Sequence, residues 1–202
     1  RRWVRRLGYA ALLGVIAQGV LGGLTVLLLL PPQISIAHAC LGPLVCCVVV
    51  CLAWATSPAW PERPQRAGDC RRPGISLLGA AVGLLAMAQL FLGAVIRHTG
   101  SGVAAHVVGA ISLALTSAWC AGRASSLRSQ APVAWADAQR LLVVIGGQLV
   151  LGVLVLTHRH ALALRTAHMG LGVLVLAQAI ILAWNAQRSS PIATRWGGAP
   201  PG

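Results

Sequence analysis

Six long apolar stretches alternate along the chain with short polar connections: Leu7–Leu30, Ser35–Ala55, Ile75–Ile96, Ser101–Gly122, Ala136–Thr157 and Arg165–Asn185. A helix of about 20 apolar residues covers the ~30 Å of bilayer hydrocarbon. Lipid offers a backbone amide no water, so each stretch must close its hydrogen bonds within itself, as an α-helix. The pattern predicts an all-α integral membrane protein with six transmembrane helices, paired as three hairpins. Three connections are short: Pro31–Ile34, His98–Gly102 and His158–Leu164. Two are longer and more polar: Ser57–Gly74 and Arg123–Trp135.

Composition agrees with this reading. The chain has 202 residues, 57% of them hydrophobic and 9% charged. A soluble domain is about a quarter charged. The net charge of +13 would suit nucleic acid, but the arginines fall in short runs between the apolar stretches, which excludes a nucleic-acid partner. The 16 basic residues are all arginine. Arg97, Arg159 and Arg165 lie on the short connections, and the other 13 lie on the longer connections and at the two ends. Positive charge marks the cytoplasmic side, so both termini are expected there, in a multi-pass protein of a bacterial or archaeal-type inner membrane. Arg1–Arg6 followed by Leu7–Leu30 is too long an apolar run for a cleavable signal peptide.

The hairpins share a repeated grammar. Gln18-Gly-Val-Leu-Gly precedes Ala37-His38, Gln89-Leu-Phe-Leu-Gly precedes Ala105-His106, and Gln148-Leu-Val-Leu-Gly precedes Ala167-His168. From glutamine to histidine the spacing is 20 residues in the first and third copies and 17 in the second. All six histidines fall at the expected outer ends. A histidine inside a membrane helix is costly and is a functional hypothesis by default. Four residues on, one turn along the same face, stand Gly42, Ala110 and Gly172, leaving room for something flat. One such histidine reads best as an interhelical hydrogen-bonder beside small-residue packing. Three in register point to ligation.

Two facing imidazoles without carboxylate or thiolate suit an axially held haem iron, whereas zinc calls for three or four ligands. A bundle of hairpins two and three would bring His106 and His168 together across a pseudo-two-fold axis, as metal ligands and cofactor ligands. Arg97 and Arg165 are candidates to pair with haem propionates through charge-assisted hydrogen bonds, with Arg159 a third outer cation. His98, in the compact run Arg97-His98-Thr99-Gly100-Ser101-Gly102, is a candidate functional residue; His158 and His160 stay open between function and solvation. Cys40, Cys46, Cys47 and Cys51 scatter around one helix and read as small hydrophobes. Trp3, Trp60, Trp119, Trp135, Trp184 and Trp196 gather toward the arginine-rich side, as interfacial anchors. Gln18, Gln89 and Gln148 are expected to hydrogen-bond between helices. The domain reading is a hairpin over 1–57, a cytoplasmic linker over 58–74, a four-helix bundle over 75–187 and a Pro/Gly-rich, disordered tail over 188–202.

These residues resemble the haem A synthase family, membrane proteins of cytochrome oxidase assembly, over nearly the whole chain to about Gln187. Gln18–His38 is similar to the hairpin of the family's third and fourth helices, Gln89–His106 to its fifth and sixth, and Gln148–His168 to its seventh and eighth. The family has eight helices in two similar halves. The resemblance implies haem b on His106 and His168 in the C-terminal half. It implies that 1–57 is the remainder of the N-terminal half, with His38 one of that half's histidines and a second haem (haem O or haem A) near it; His38, with His98 from its compact run, is a candidate catalytic residue. The implied reaction oxidises a methyl group of haem O to the formyl group of haem A. The family's first two helices, its outer-loop cysteine pair and the arginine replaced here by Val107 have no counterpart. The alternative is therefore a non-catalytic bis-histidine haem b subunit, for electron transfer or stabilisation in a larger membrane complex. On either reading the expected partners are other membrane subunits, or a missing N-terminal hairpin, docking on the first two helices.

Overall fold

The computed structural model describes residues 1–58, 73–158 and 160–189. Six helices account for most of them: α1 (Arg2–Leu27), α2 (Pro32–Thr56), α3 (Ile75–Thr99), α4 (Val103–Ser125), α5 (Pro132–Thr157) and α6 (Leu162–Ser189). Each is long and apolar enough to cross a membrane, which makes this a multi-pass membrane protein. Most of the linker, and the tail beyond Ser189, lie outside the described residues, as do Trp60, Arg159 and Trp196.

Local chemistry sets the helix ends. Pro32 and Pro132 open α2 and α5, where a missing N–H costs nothing and the fixed φ is already helical. Gly100, at φ +73°, closes α3 by returning its N–H to the Ile96 carbonyl at 2.9 Å. His98 and Thr99 thus complete the last turn of α3 rather than forming a loop, and the α3–α4 turn is only Gly100–Gly102. In the first hairpin α1 stops at Leu27, three residues short of the apolar run. Leu29 and Leu30 turn at φ 56° and 62° ahead of Pro31. Apolar composition continues through that turn, so hydropathy alone places the boundary too late.

The helices α3, α4, α5 and α6 touch in a closed ring, α3 against α4 and α6, and α5 against α4 and α6. Against its α3–α6 side lies α2, whose buried stripe is Cys47, Cys51 and Ala55. Spacing of four residues puts those three on one face, where the thiols pack as small apolar groups. Beyond α2 lies α1, which meets α6 at its first turn, with Trp3 edge-on to Trp184 at 5.7 Å. Small residues bring the backbones close. A Cβ on Gly79 of α3 would sit 3.2 Å from the Ala183 Cα and the Ala186 Cβ of α6.

One carboxylate is buried among these helices. Asp137, 1% exposed, accepts from Asn185 Nδ2 at 2.7 Å and from Arg140 Nη1 at 2.6 Å. Gln178 Nε2 lies 3.4 Å from the same carboxylate and donates to the Asp137 carbonyl at 3.2 Å. Lipid cannot solvate a carboxylate, so α6 supplies its donors.

Burial follows a gradient along the ring of four. Toward the arginine-rich end the inward positions are closed: Ile75, Leu78, Val82 and Ala86 on α3, Leu113 to Ala124 on α4, Ala134 to Ile145 on α5, and Val175 to Ala186 on α6. Toward the other end, where all six histidines lie, α4 has no buried residue before Leu113, α5 none after Ile145 and α6 none before Val175 among the described residues. The ring is tightly packed at one end and loosely filled at the other.

Candidate functional site

Each hairpin holds its histidine in a clasp. Gln18 Nε2 donates to the His38 carbonyl at 3.2 Å and lies 3.5 Å from His38 Nε2. Gln148 Nε2 lies 3.4 Å from His168 Nε2. With its amide turned to suit both neighbours, Gln89 donates to the His106 carbonyl and to His106 Nδ1, each at 3.0 Å, and accepts from the Ala110 N–H at 3.2 Å. The glutamine lies on the first helix of its hairpin, the histidine on the second.

Glycines on both helices make the clasp possible. The glycine four residues after each glutamine lies beneath the imidazole: a Cβ there would stand 3.0 Å from His38 Cε1 at Gly22, 3.5 Å from His106 Cε1 at Gly93 and 3.4 Å from His168 Cε1 at Gly152. On the facing helix, Gly42 and Gly172 lie beneath the amides of Gln18 and Gln148, at 2.9 and 3.1 Å. This revises one expectation. The small residue one turn beyond each histidine seats the glutamine of the partner helix rather than a flat ligand. In the second hairpin that residue is Gly109, not Ala110, because a connection three residues shorter shifts the register. The signal was present in the sequence, as the glycine four residues after each glutamine. Its meaning needed the antiparallel register of the two helices, which spacing within one helix does not carry.

A Cβ at Gly109 would overlap the Gln89 amide. Gly109→Val should therefore expel that amide and release the His106 ring, whereas Gly8→Val, with open space around it, should change nothing. Thermal unfolding in detergent should separate them by roughly 1–3 kcal/mol, the usual cost of overpacking; equal stabilities would refute the clasp.

His106 and His168 face each other across the open end of the ring, with ring centroids 6.4 Å apart and planes at 72°. A metal about 2 Å from one nitrogen of each imidazole, plus about 1.1 Å from nitrogen to ring centre, sets the centroids roughly 6 Å apart. The observed separation matches, and the donor set is two neutral-type imidazoles with no carboxylate beside them. His168 Nδ1 is buried against Gly152 of α5. The residues present therefore fit a haem iron that His106 and His168 would hold. A site of three or more histidine, cysteine or acidic ligands does not occur among the described residues.

Arg97 and Arg165 lie at the same end of the helices as this pair. The Arg97 guanidinium rests on the Met169 sulfur, one residue past His168. A thioether is a weak acceptor and yields readily to a carboxylate. Arg165 is exposed one helical turn before His168 on α6. His98 is half-buried in the last turn of α3 beside Arg97. His158 and His160 are exposed in the α5–α6 turn, the former against Thr157 Oγ1 at 2.9 Å. His38 stands outside the facing pair, in its own clasp, with Nδ1 buried and unpartnered. No family model, curated protein or solved structure matches this chain.

Proposed function

We propose that the protein is a haem-binding membrane protein in which His106 and His168 hold one b-type haem between hairpins two and three, near the outer face of a bacterial or archaeal-type inner membrane, with both termini cytoplasmic. The observation that carries this is the 6.4 Å separation of the two facing imidazoles. The looser packing on the same side of the ring supports it, since a macrocycle needs width that the arginine-rich end lacks. Bound there, a haem would supply one-electron redox chemistry. The chain's own residues do the rest. His106 and His168 would hold the iron, Arg97 and Arg165 would pair with the propionates, and the tight packing at the arginine-rich end would close the site from that side.

The resemblance to haem A synthases extends this to an enzyme that oxidises haem O to haem A, with His38 at a second haem and His98 on the substrate side. A non-catalytic electron-transfer or stabilising subunit is favoured by one feature: hairpins two and three supply the facing imidazoles without hairpin one, and His38 lies outside them. Pyridine haemochrome analysis of the purified full chain, with a haem O conversion assay, tests both. One haem b per chain is expected. Conversion of haem O, lost in His38→Ala and His98→Ala, would support the enzyme; bound haem without conversion would support the subunit. A chain purified without haem, and unable to take it up, would overturn the proposal.

A further inference from the structure

At the arginine-rich end, the start of α1 and the end of α2 enclose an open cleft of about 430 Å³. Arg1 and Arg5 line it from α1, and residues 55–58 line it from α2. Four residues is one helical turn, so both arginines stand on one face. Arg1 Nη1 donates to the Ala55 carbonyl at 3.2 Å. That bond ties the side chain to the end of α2 and uses one of the five N–H groups of a guanidinium. Neither arginine meets a carboxylate among the described residues, where the one acidic side chain, Asp137, lies on α5 and pairs with Arg140. A further cation comes from α6. Trp3 packs edge-on against Trp184, and Arg188, one turn beyond Trp184, comes near enough to Arg1 for the two charges to repel. The first turn of α1 has no acidic residue and no capping side chain, so the positive end of its dipole adds to the same field.

Cations gathered in this way favour an anion in the cleft. Position in the membrane says which anion. The 26 residues of α1 extend about 39 Å at 1.5 Å per residue, beyond the ~30 Å of hydrocarbon. The end that carries the arginines therefore reaches the layer of phosphate esters. A phosphodiester offers a negative charge and paired oxygens that match the guanidinium fork. Below Arg5 on the same face stand Tyr9, Leu12 and Leu13, all exposed, at the four-, seven- and eight-residue spacings of one apolar stripe. A free phosphate would have no use for that stripe, whereas acyl chains would lie along it. We propose that this cleft binds the headgroup of an anionic phospholipid, with Arg1 and Arg5 on its phosphate and its chains beside Tyr9, Leu12 and Leu13. The site lies at the opposite end of the helices from His106 and His168 and stands whether or not the chain holds haem.

Native mass spectrometry of the purified full chain, titrated with phosphatidylglycerol in a neutral detergent, tests the proposal. Arg1→Gln combined with Arg5→Gln should weaken binding roughly tenfold or more, since each arginine near a membrane surface contributes several-fold. Arg2→Gln combined with Arg6→Gln removes the same charge at nearly the same depth but from outside the cleft, and should leave most of the affinity. All four side chains are exposed, so neither pair disturbs the core. Phosphatidylglycerol nanodiscs should raise the unfolding temperature over phosphatidylcholine ones for the parent and the Arg2/Arg6 variant, and not for the Arg1/Arg5 variant. Excess inorganic phosphate should not displace the lipid. Equal losses in the two variants would mean a diffuse attraction to the arginine-rich end, and displacement by phosphate would mean a free-anion site. Either result, or a parent chain that binds no phosphatidylglycerol, would overturn the proposal.

Discussion

Alanine at either His106 or His168 is expected to abolish the six-coordinate low-spin haem spectrum and to lower haem retention by roughly tenfold or more, since even a supporting residue around a metal costs 10–100-fold. Each histidine presents its ring to the other at 6.4 Å, and neither has a substitute at its position. Val107 follows His106 and cannot ligate. Met169 follows His168 and carries a sulfur able to ligate haem, but one residue is about 100° around a helix and its sulfur already meets Arg97. His168→Met is the informative companion. It would place a thioether at the ligand position itself, restoring a low-spin spectrum at a raised potential, as histidine–methionine ligation does. Absorption spectra of the three variants decide the matter. A normal low-spin spectrum in both alanine variants would remove the assignment.

The second large effect lies at the other end of the ring. Asp137→Ala should destabilise the protein by roughly 1–3 kcal/mol, because Asn185 Nδ2 then loses its carboxylate acceptor at 2.7 Å, while Gln178 keeps the backbone carbonyl of residue 137. Arg140 adds little, since its side chain is 61% exposed and solvent screens it. Asp137→Asn keeps one carbonyl for Asn185 or Gln178 and should lose less, about 1 kcal/mol. Asn185 and His168 are 17 residues apart on one helix, about 25 Å at 1.5 Å per residue, so the variants that stay folded should keep the parent haem spectrum. Unfolding in mixed detergent checks the order Ala, Asn, parent. Equal stability of Asp137→Ala and the parent would show that the buried carboxylate holds nothing together.

The membrane helices were legible because apolar length is a property of each segment alone. The glutamine–histidine repeat was legible as a pattern, and the interhelical role expected of Gln18, Gln89 and Gln148 is what the clasps contain. Its stereochemistry was not. Gly22, Gly93 and Gly152 seat imidazoles and Gly42, Gly109 and Gly172 seat amides, and these partnerships depend on the register of antiparallel neighbours. Asp137 was visible only as an acidic residue near a helix end; its donors on α6 lie 41 and 48 residues away. Hydropathy likewise overran α1 by three leucines, because a tight turn at Leu28–Leu30 is as apolar as the helix it ends.

The graded filling of the ring has a consequence for how the protein matures. Amide exchange should be slowest at Leu141, Leu176 and Leu182, where the helices leave no room for local opening, and fastest between Val103 and Ala110 and between Leu162 and Gly170. The closed end then behaves as a hinge that is complete at the moment of membrane insertion. The other end, with fewer buried contacts, is expected to open at lower cost than the closed end. A planar group entering sideways from the lipid would find its ligands pre-aligned and would need to separate only the upper halves of four helices. On the haem reading proposed above, loading would be a late, reversible step of assembly rather than a condition for folding, and the chain without haem would persist in the membrane as a receptive intermediate.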